Sequence, residues 1–361
     1  MEKTKLYEVH QKLGGKIVPF AGFLMPIQYE GINIEHLHVR NNVGLFDVSH
    51  MGEFILKGDK SLSLLQLICS NDVSSIGDGR AQYNCLINET GGIIDDLIIY
   101  KFNDNEFMLV TNAANIKKDW NWINLHNKKF NNELENISNK TSLLALQGPN
   151  SYDLLQKLVN FDVKSLKNYS FVKVDFNNFK DVIISTTGYT GSGGFEIYCK
   201  NDDVIGIWDI LFQTGKEFDI KPIGLAARDT LRLEMGYCLY GNDINDHTNP
   251  IEAGLKWITK TNKEFIGKEK IIDALEKGTN KKLVGFKLNQ KGIPRIDYKI
   301  FDQNQNEVGV VTSGTMSPCL KEGIGLGYIN SANSKIGTTI LIEIRNKKVE
   351  ASVVKLPFVI T

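Results

Sequence analysis

Gly91-Gly92-Ile93-Ile94-Asp95-Asp96-Leu97-Ile98-Ile99-Tyr100 reads as a β-strand buried on both faces, entered from a Gly-Gly turn and interrupted by two adjacent carboxylates. An ionised carboxylate left without a partner in such a strand costs several kcal/mol. Either a ligand or a cation meets these acids, or the strand end opens to a cleft, or both acids hydrogen-bond locally just past the turn. Alternation groups Asp95 with Ile93, Leu97 and Ile99, and Asp96 with Ile94, Ile98 and Tyr100. Each acid therefore shares an apolar face, and period-2 reasoning does not choose between them.

Outward from this strand, short strand-like runs alternate with isolated helical patterns. Strands are expected over 52–57, 82–87, 93–102, 106–111, 142–147, 171–176, 181–186 and 194–199. Helices are expected over 62–68, 115–125, 151–159, 204–217 and 225–235. The order is that of an α+β chain rather than a repeating βαβ wheel, so a doubly wound sheet is not expected. The run Glu276-Lys277-Gly278-Thr279-Asn280-Lys281-Lys282 marks a boundary, dividing the chain into a region 1–276 and a smaller one, 283–361. Beyond it only short strands separated by turn residues remain (283–288, 299–302, 307–313, 325–329, 338–344 and 347–355), the pattern of a small closed or sandwiched β unit.

Composition excludes some classes of function. At 361 residues and 42% hydrophobic the chain can bury a large core. Lys+Arg and Asp+Glu both number 42, so no global field draws the chain to nucleic acid or an anionic membrane. The five cysteines are scattered, without a CxxC pair, which argues against a disulfide scaffold and a zinc site and for small core thiols in a reducing compartment. The N-terminus lacks a signal or transit character and no apolar run reaches membrane length, so the expected location is the cytoplasm.

Several apparent motifs weaken on inspection. Gly188-Tyr189-Thr190-Gly191-Ser192-Gly193-Gly194 lacks GxGxxG spacing and runs into a strand, so no helix N-terminus receives a phosphate and nucleotide binding is disfavoured. His36 and His38 are two apart and would diverge on a helix, and no metal site is expected. Ser49 and His50, read as strand neighbours, point to opposite faces and form no catalytic pair.

A polar set on otherwise buried segments is more promising: Glu196, Arg228 and Arg232, the tyrosines Tyr83, Tyr100 and Tyr189, and Asn112. Together they suit an apolar pocket for a flat polar heterocycle, with aromatics to stack on it and a carboxylate to accept paired N–H donors. Taken singly, each has a bland reading as an ion pair or a core-edge tyrosine.

The runs Val18–Pro26, Gly44-Leu45-Phe46-Asp47-Val48-Ser49-His50-Met51-Gly52, Gly91–Leu97, Gln147-Gly148-Pro149, Thr187–Gly191, Gly224–Asp229, Leu231–Glu234, Leu239–Asp243, Thr248–Pro250, Glu252–Leu255 and Thr312–Pro318 occur in order along nearly the whole chain. In these the chain resembles the aminomethyltransferase (T-protein) family of the glycine cleavage system. The resemblance implies two interwoven α+β domains and a C-terminal β-barrel around a central channel. It also implies transfer of the one-carbon unit from the aminomethyl-lipoyl group of H-protein to tetrahydrofolate, giving 5,10-methylenetetrahydrofolate, ammonia and dihydrolipoyl H-protein. Lipoylated H-protein is the implied partner and tetrahydrofolate the co-substrate. Carried over residue by residue, the essential aspartate falls on Asp96 and the pterin-anchoring glutamate on Glu196. Tyr189 and Arg228 stand beside that glutamate, and Met51, Tyr83, Tyr100, Val110, Asn112 and Tyr169 line the channel.

One departure accompanies the resemblance. Many members continue past the final Pro-Phe with an Arg or Tyr close to the folate, whereas this chain closes on Lys355-Leu356-Pro357-Phe358-Val359-Ile360-Thr361, so that contact is expected to be missing or replaced. Two rival readings are a non-catalytic folate-binding relative of iron–sulfur assembly type and a folate-dependent demethylase. The Lys-Gly-Cys signature of the first is absent from Met235–Gly241, and no flavin domain accompanies the second.

Overall fold

The computed structural model describes residues 1–360; Thr361, the last residue of the closing stretch, lies outside the described residues. Two compact units divide the chain: Met1–Gln66, Val73–Asn84 and Leu97–Arg228 form the first, and Leu67–Asp72, Cys85–Asp96 and Asp229–Thr361 the second.

A six-stranded sheet dominates the first unit, in the order Phe171–Phe176, Phe179–Ser185, Gly194–Lys200, Thr141–Gln147, Val43–Asp47, Ile220–Pro222. All its pairs are antiparallel except the last. The helices Ser151–Gln156 and Val204–Gly215 bury Leu154, Leu155, Ile207, Trp208 and Leu211 against Leu144, Phe195 and Ile197 of this sheet. That apolar burial, at about 25 cal/mol per Å², is what holds the layer together. A five-stranded sheet runs Arg80–Ile87, Ile93–Asn103, Glu106–Thr111, Gly52–Lys57, Glu133–Asn136.

A buried polar knot ties the N-terminus to this unit. Thr4 donates to Asp47 at 2.7 Å, His10 Nε2 lies 2.9 Å from the same oxygen, and the Ser49 N–H donates to the other at 2.9 Å. Burial by itself would push the Asp47 carboxyl up, but the hydrogen bonds and charge of His10, with Ser49 and Thr4, outweigh it and hold the carboxyl below its usual range. A lowered native pKa contributes stability above the unfolded value of about 4, which is lost as pH falls through the native one. Asp47→Asn is therefore expected to flatten the acid limb of the stability curve, measured as urea midpoints from neutral pH downward.

The second unit centres on a closed six-stranded barrel, Lys281–Leu288, Gly323–Asn330, Glu307–Met316, Lys299–Phe301, Thr339–Ile344 and Lys347–Val354 in spatial order. Inward-facing Phe286, Ile300, Val311, Ile329, Ile340 and Ile342 fill it. The helix Lys268–Lys277 ends three residues before the barrel strand Lys281–Leu288.

Several readings of local structure need correction. The helix from Ser151 stops at Gln156, three residues short of expectation. Ser49 and His50 lie in a turn after the strand Val43–Asp47 rather than in a strand, and the Ser49 Oγ bonds the Leu143 backbone. Strands Lys16–Phe20, Phe23–Gln28 and Val43–Asp47 and the helix Ile32–Asn41 were not expected. Pro19 and Pro26 argue locally against pairing, and a five-residue strand buried throughout shows no alternation. The four buried cysteines and the half-buried Cys319 are all free thiols.

Candidate functional site

Within the first unit, three of the sequence-predicted polar residues, Tyr100, Tyr189 and Arg228, gather near Glu196, whereas Arg232 belongs to the second unit and pairs with Asp243. This glutamate lies on the strand Gly194–Lys200 and is 8% exposed. One of its oxygens accepts a short hydrogen bond from the Thr187 hydroxyl. Thr187 also lies 3.0 Å from the Tyr100 hydroxyl, which in turn lies 2.8 Å from that of Tyr198. A continuous chain of hydroxyls thus leads from the carboxylate into the core.

The segment before Glu196 is shaped by Gln147 rather than by a phosphate. Its amide donates to the carbonyls of Thr187 and Phe195, and its oxygen accepts from Thr190 at 2.7 Å. A Cβ on Gly188 would fall 2.2 Å from the Gln147 oxygen, so that glycine is required by close approach. Arg40 adds bonds to the Thr190 carbonyl and the Ser192 hydroxyl. This cage holds Tyr189 in place.

Arg228, at the start of the helix Leu225–Glu234, stacks over the Tyr189 ring at 4.8 Å. Burial lowers its pKa, and the charge of Glu196 opposes that shift. Its Nη1 is buried without a hydrogen-bond partner among the described residues. His50 shares this environment: it is 4% exposed, packs edge-on to Phe20 at 5.4 Å, and has an unpartnered Nδ1. Burial, with the charge of Arg228, pulls its pKa down to about 4 against Asp47, so the imidazole is neutral. Glu35 sets the approach to this helix, accepting from the backbone of Tyr29, Glu30 and Gly31 with one oxygen and of Gly224 with the other.

The remaining predicted residues are placed as follows. Val110 is buried opposite Ile98, and Asn112 follows directly on the strand Glu106–Thr111. Met51 is half-buried in the turn after Val43–Asp47, with its N–H bonded to the Val48 carbonyl. Tyr169 is partly exposed, and its carbonyl accepts from Ala81, two residues before Tyr83. His38 bonds the Asp219 carbonyl at 2.6 Å, the structural role expected of it.

Asp96 belongs to the second unit. It is half-buried, whereas Asp95 is 0% exposed. Asn88 caps the Gly-Gly turn, accepting from Thr90 and Gly92, and both acids stand in the strand Ile93–Asn103. The thiols of Cys85 and Cys238 feel the charge of Asp96, which adds to burial in raising their pKa. Sequence reasoning missed Thr187, Tyr198 and the environment of His50.

A family model for the GCVT N-terminal domain matches residues 6–263, and one for the glycine cleavage T-protein C-terminal barrel domain matches residues 281–359. A protein named aminomethyltransferase from Flavobacterium psychrophilum is 56% identical over 358 residues, covering 99% of each chain. Its namesake from Bacteroides thetaiotaomicron is 51% identical over 360 residues with the same coverage. The crystal structure of glycine cleavage system aminomethyltransferase T from Bartonella henselae superposes with a TM-score of 0.93 at 35% identity, over 99% of this chain and 98% of that one. With an α+β N-terminal region and a closed C-terminal barrel, this chain belongs to the aminomethyltransferase (T-protein) family of the glycine cleavage system.

Proposed function

We propose that this aminomethyltransferase moves the one-carbon unit of aminomethyl-lipoyl H-protein to tetrahydrofolate, with residues 1–276 as the folate-binding region and 283–361 as a barrel domain. A new bond from folate N5 to the methylene carbon replaces the bond to sulfur, and N10 then displaces ammonia. Two N–H protons leave the folate, one going to the lipoyl thiol and one to the ammonia, so atoms balance. Asp96 is the group we assign to proton transfer and to stabilising iminium character on the transferred carbon. Glu196 accepts the paired N–H donors of the aminopyrimidinone edge. Tyr189, held under Arg228, with Tyr83, Tyr100, Met51, Val110, Asn112 and Tyr169, completes the pocket.

The observation that carries this reading is a half-satisfied polar set. Glu196 has one hydroxyl donor, and the adjacent Arg228 Nη1 and His50 Nδ1 are buried with no partner. Such orphans are expensive unless a ligand meets them, and a flat heterocycle bearing both donors and acceptors fits. Among the described residues no helix is long and apolar enough to cross a membrane.

The test is formation of methylenetetrahydrofolate and ammonia from aminomethyl-loaded H-protein and tetrahydrofolate. Turnover supports the reading; folate binding without turnover supports the non-catalytic or demethylase alternatives. Glu196→Gln is expected to raise the KM for tetrahydrofolate roughly 10- to 100-fold, the worth of hydrogen bonds to a charged acceptor. An unchanged KM would remove Glu196 from the folate site.

A further inference from the structure

The turn that leads into Asp95 and Asp96 is organised by one side chain. The carboxamide oxygen of Asn88 accepts from the Thr90 N–H at 3.0 Å, the Thr90 hydroxyl at 2.7 Å and the Gly92 N–H at 2.9 Å. Its backbone N–H donates to the Gly92 carbonyl at 2.9 Å, so these bonds stay within residues 88–92 and shape the turn. The other half of the same amide leaves it. Asn88 Nδ2 donates to the Asp246 carbonyl at 2.9 Å, on a loop 158 residues further along the chain.

That loop is a firm support within the second unit. The Tyr240 hydroxyl donates to the Asp246 carboxylate at 3.0 Å, and Tyr328 of the barrel strand Gly323–Asn330 donates to the Asp243 carbonyl at 2.9 Å. From another side a Cβ on Gly267 would fall 2.3 Å from the Asn88 carbonyl oxygen, so the start of the helix Lys268–Lys277 closes on the turn as well. The strand that follows needs this support. It pairs with Glu106–Thr111 from Ile98 onward, which leaves the stretch bearing Asp95 and Asp96 with Arg80–Ile87 as its strand neighbour. At about 3.3 Å per residue Asp96 stands roughly 13 Å from Gly92, close enough for a shift of the turn to move the carboxylate.

We propose that Asn88 is a positioning residue for Asp96: its amide donor to the Asp246 carbonyl fixes the Gly-Gly turn on the loop and so sets where the Asp96 carboxylate stands. This rests on the reading of Asp96 as the proton-transfer group. An amide is the group for the task, since one end accepts from the turn while the other donates to a carbonyl. A carboxylate or a hydroxyl of the same reach or less can do the first and not hold the second.

The experiment compares Asn88→Ser with Asn88→Asp. Both keep an oxygen for the N–H groups of the turn and lose the donor to Asp246, and only the second adds a charge. Each should lower kcat roughly 10- to 100-fold, the scale for a reacting group displaced by about 1 Å, while the KM for tetrahydrofolate changes less than about twofold. In the Asp96→Asn background neither should slow single-turnover transfer further, because a residue that acts through Asp96 then has nothing left to place. An unchanged kcat in Asn88→Ser, a KM that rises as kcat falls, a loss confined to Asn88→Asp, or full additivity with Asp96→Asn would each overturn the proposal. If neither variant folds, the bond to Asp246 is a folding contact and the proposal falls. Asp96→Asn alone separates the two readings. Full turnover in it removes the chemical and the positioning role together, whereas slow turnover in it with normal kcat in both Asn88 variants removes only Asn88.

Discussion

Asp96→Asn is expected to lower kcat by about 10²- to 10⁴-fold, the range for loss of a positioned acid or base, while the protein still folds and binds tetrahydrofolate. The amide keeps the volume of the carboxylate but cannot take a proton or balance a developing cation. The strand around it is locked independently of its charge. A Cβ on Gly92 would fall 1.8 Å from the Asp246 carbonyl oxygen, and the Ile93 N–H donates to the carbonyls of Asn245 and Thr248 at 3.2 and 3.1 Å. Glycine at 92 lets these backbones meet, and the strand start does not depend on residue 96. The measurement is single-turnover formation of methylenetetrahydrofolate alongside folate binding by fluorescence. Full turnover would remove Asp96 from the chemistry, and loss of turnover with loss of fold would make it a structural acid.

Asp243→Ala should be the most destabilising of these substitutions, at about 3–5 kcal/mol, because it takes from the buried Arg232 its one buried counterion and leaves only the half-exposed Asp229, 2.7 Å away on the same helix. Asp243 is 0% exposed, and the Arg232 side chain 2%. Their contact is 2.7 Å, and Arg232 also donates to the Tyr237 carbonyl and Ser313 Oγ, both at 2.9 Å. Asp243 further accepts from Thr312, Ser313 and the Leu239 N–H. One carboxylate thus joins the helix Leu225–Glu234, the loop after it and the barrel strand Glu307–Met316. Urea unfolding read by circular dichroism checks the value. A loss under about 1 kcal/mol would place the pair with ordinary surface bridges. Asp243→Asn, which keeps the acceptor oxygen and drops the charge, should fall between.

Elements with their own local signal were legible in the sequence. The strands Gly52–Lys57, Glu106–Thr111 and Phe171–Phe176 begin and end where alternation and turn residues place them. The barrel strands were legible for the same reason, each bounded by glycine, asparagine or lysine turns. The strand Val43–Asp47 was not, since all five residues are buried and its pairing with Thr141–Gln147 spans about a hundred residues of chain. The candidate site divides likewise. Family likeness pointed to Asp96, Glu196 and Arg228, whereas Thr187, in the loop after Phe179–Ser185, and Tyr198, within a strand, are ordinary letters until the fold brings them together through Tyr100.

By itself the sequence determined which family this chain belongs to, its α+β and barrel composition, and the residue types its chemistry needs. All of these reside in local spacing or in motifs that stand complete in one stretch. Only the tertiary structure decided that Asp95 is buried and Asp96 half-open, that Arg228 lies over Tyr189, and that a run of hydroxyls leads from Glu196 into the core. Alternation says that a side chain leaves one face of a strand. Burial, partners and charge state depend on what packs against that face from residues a hundred or more positions away.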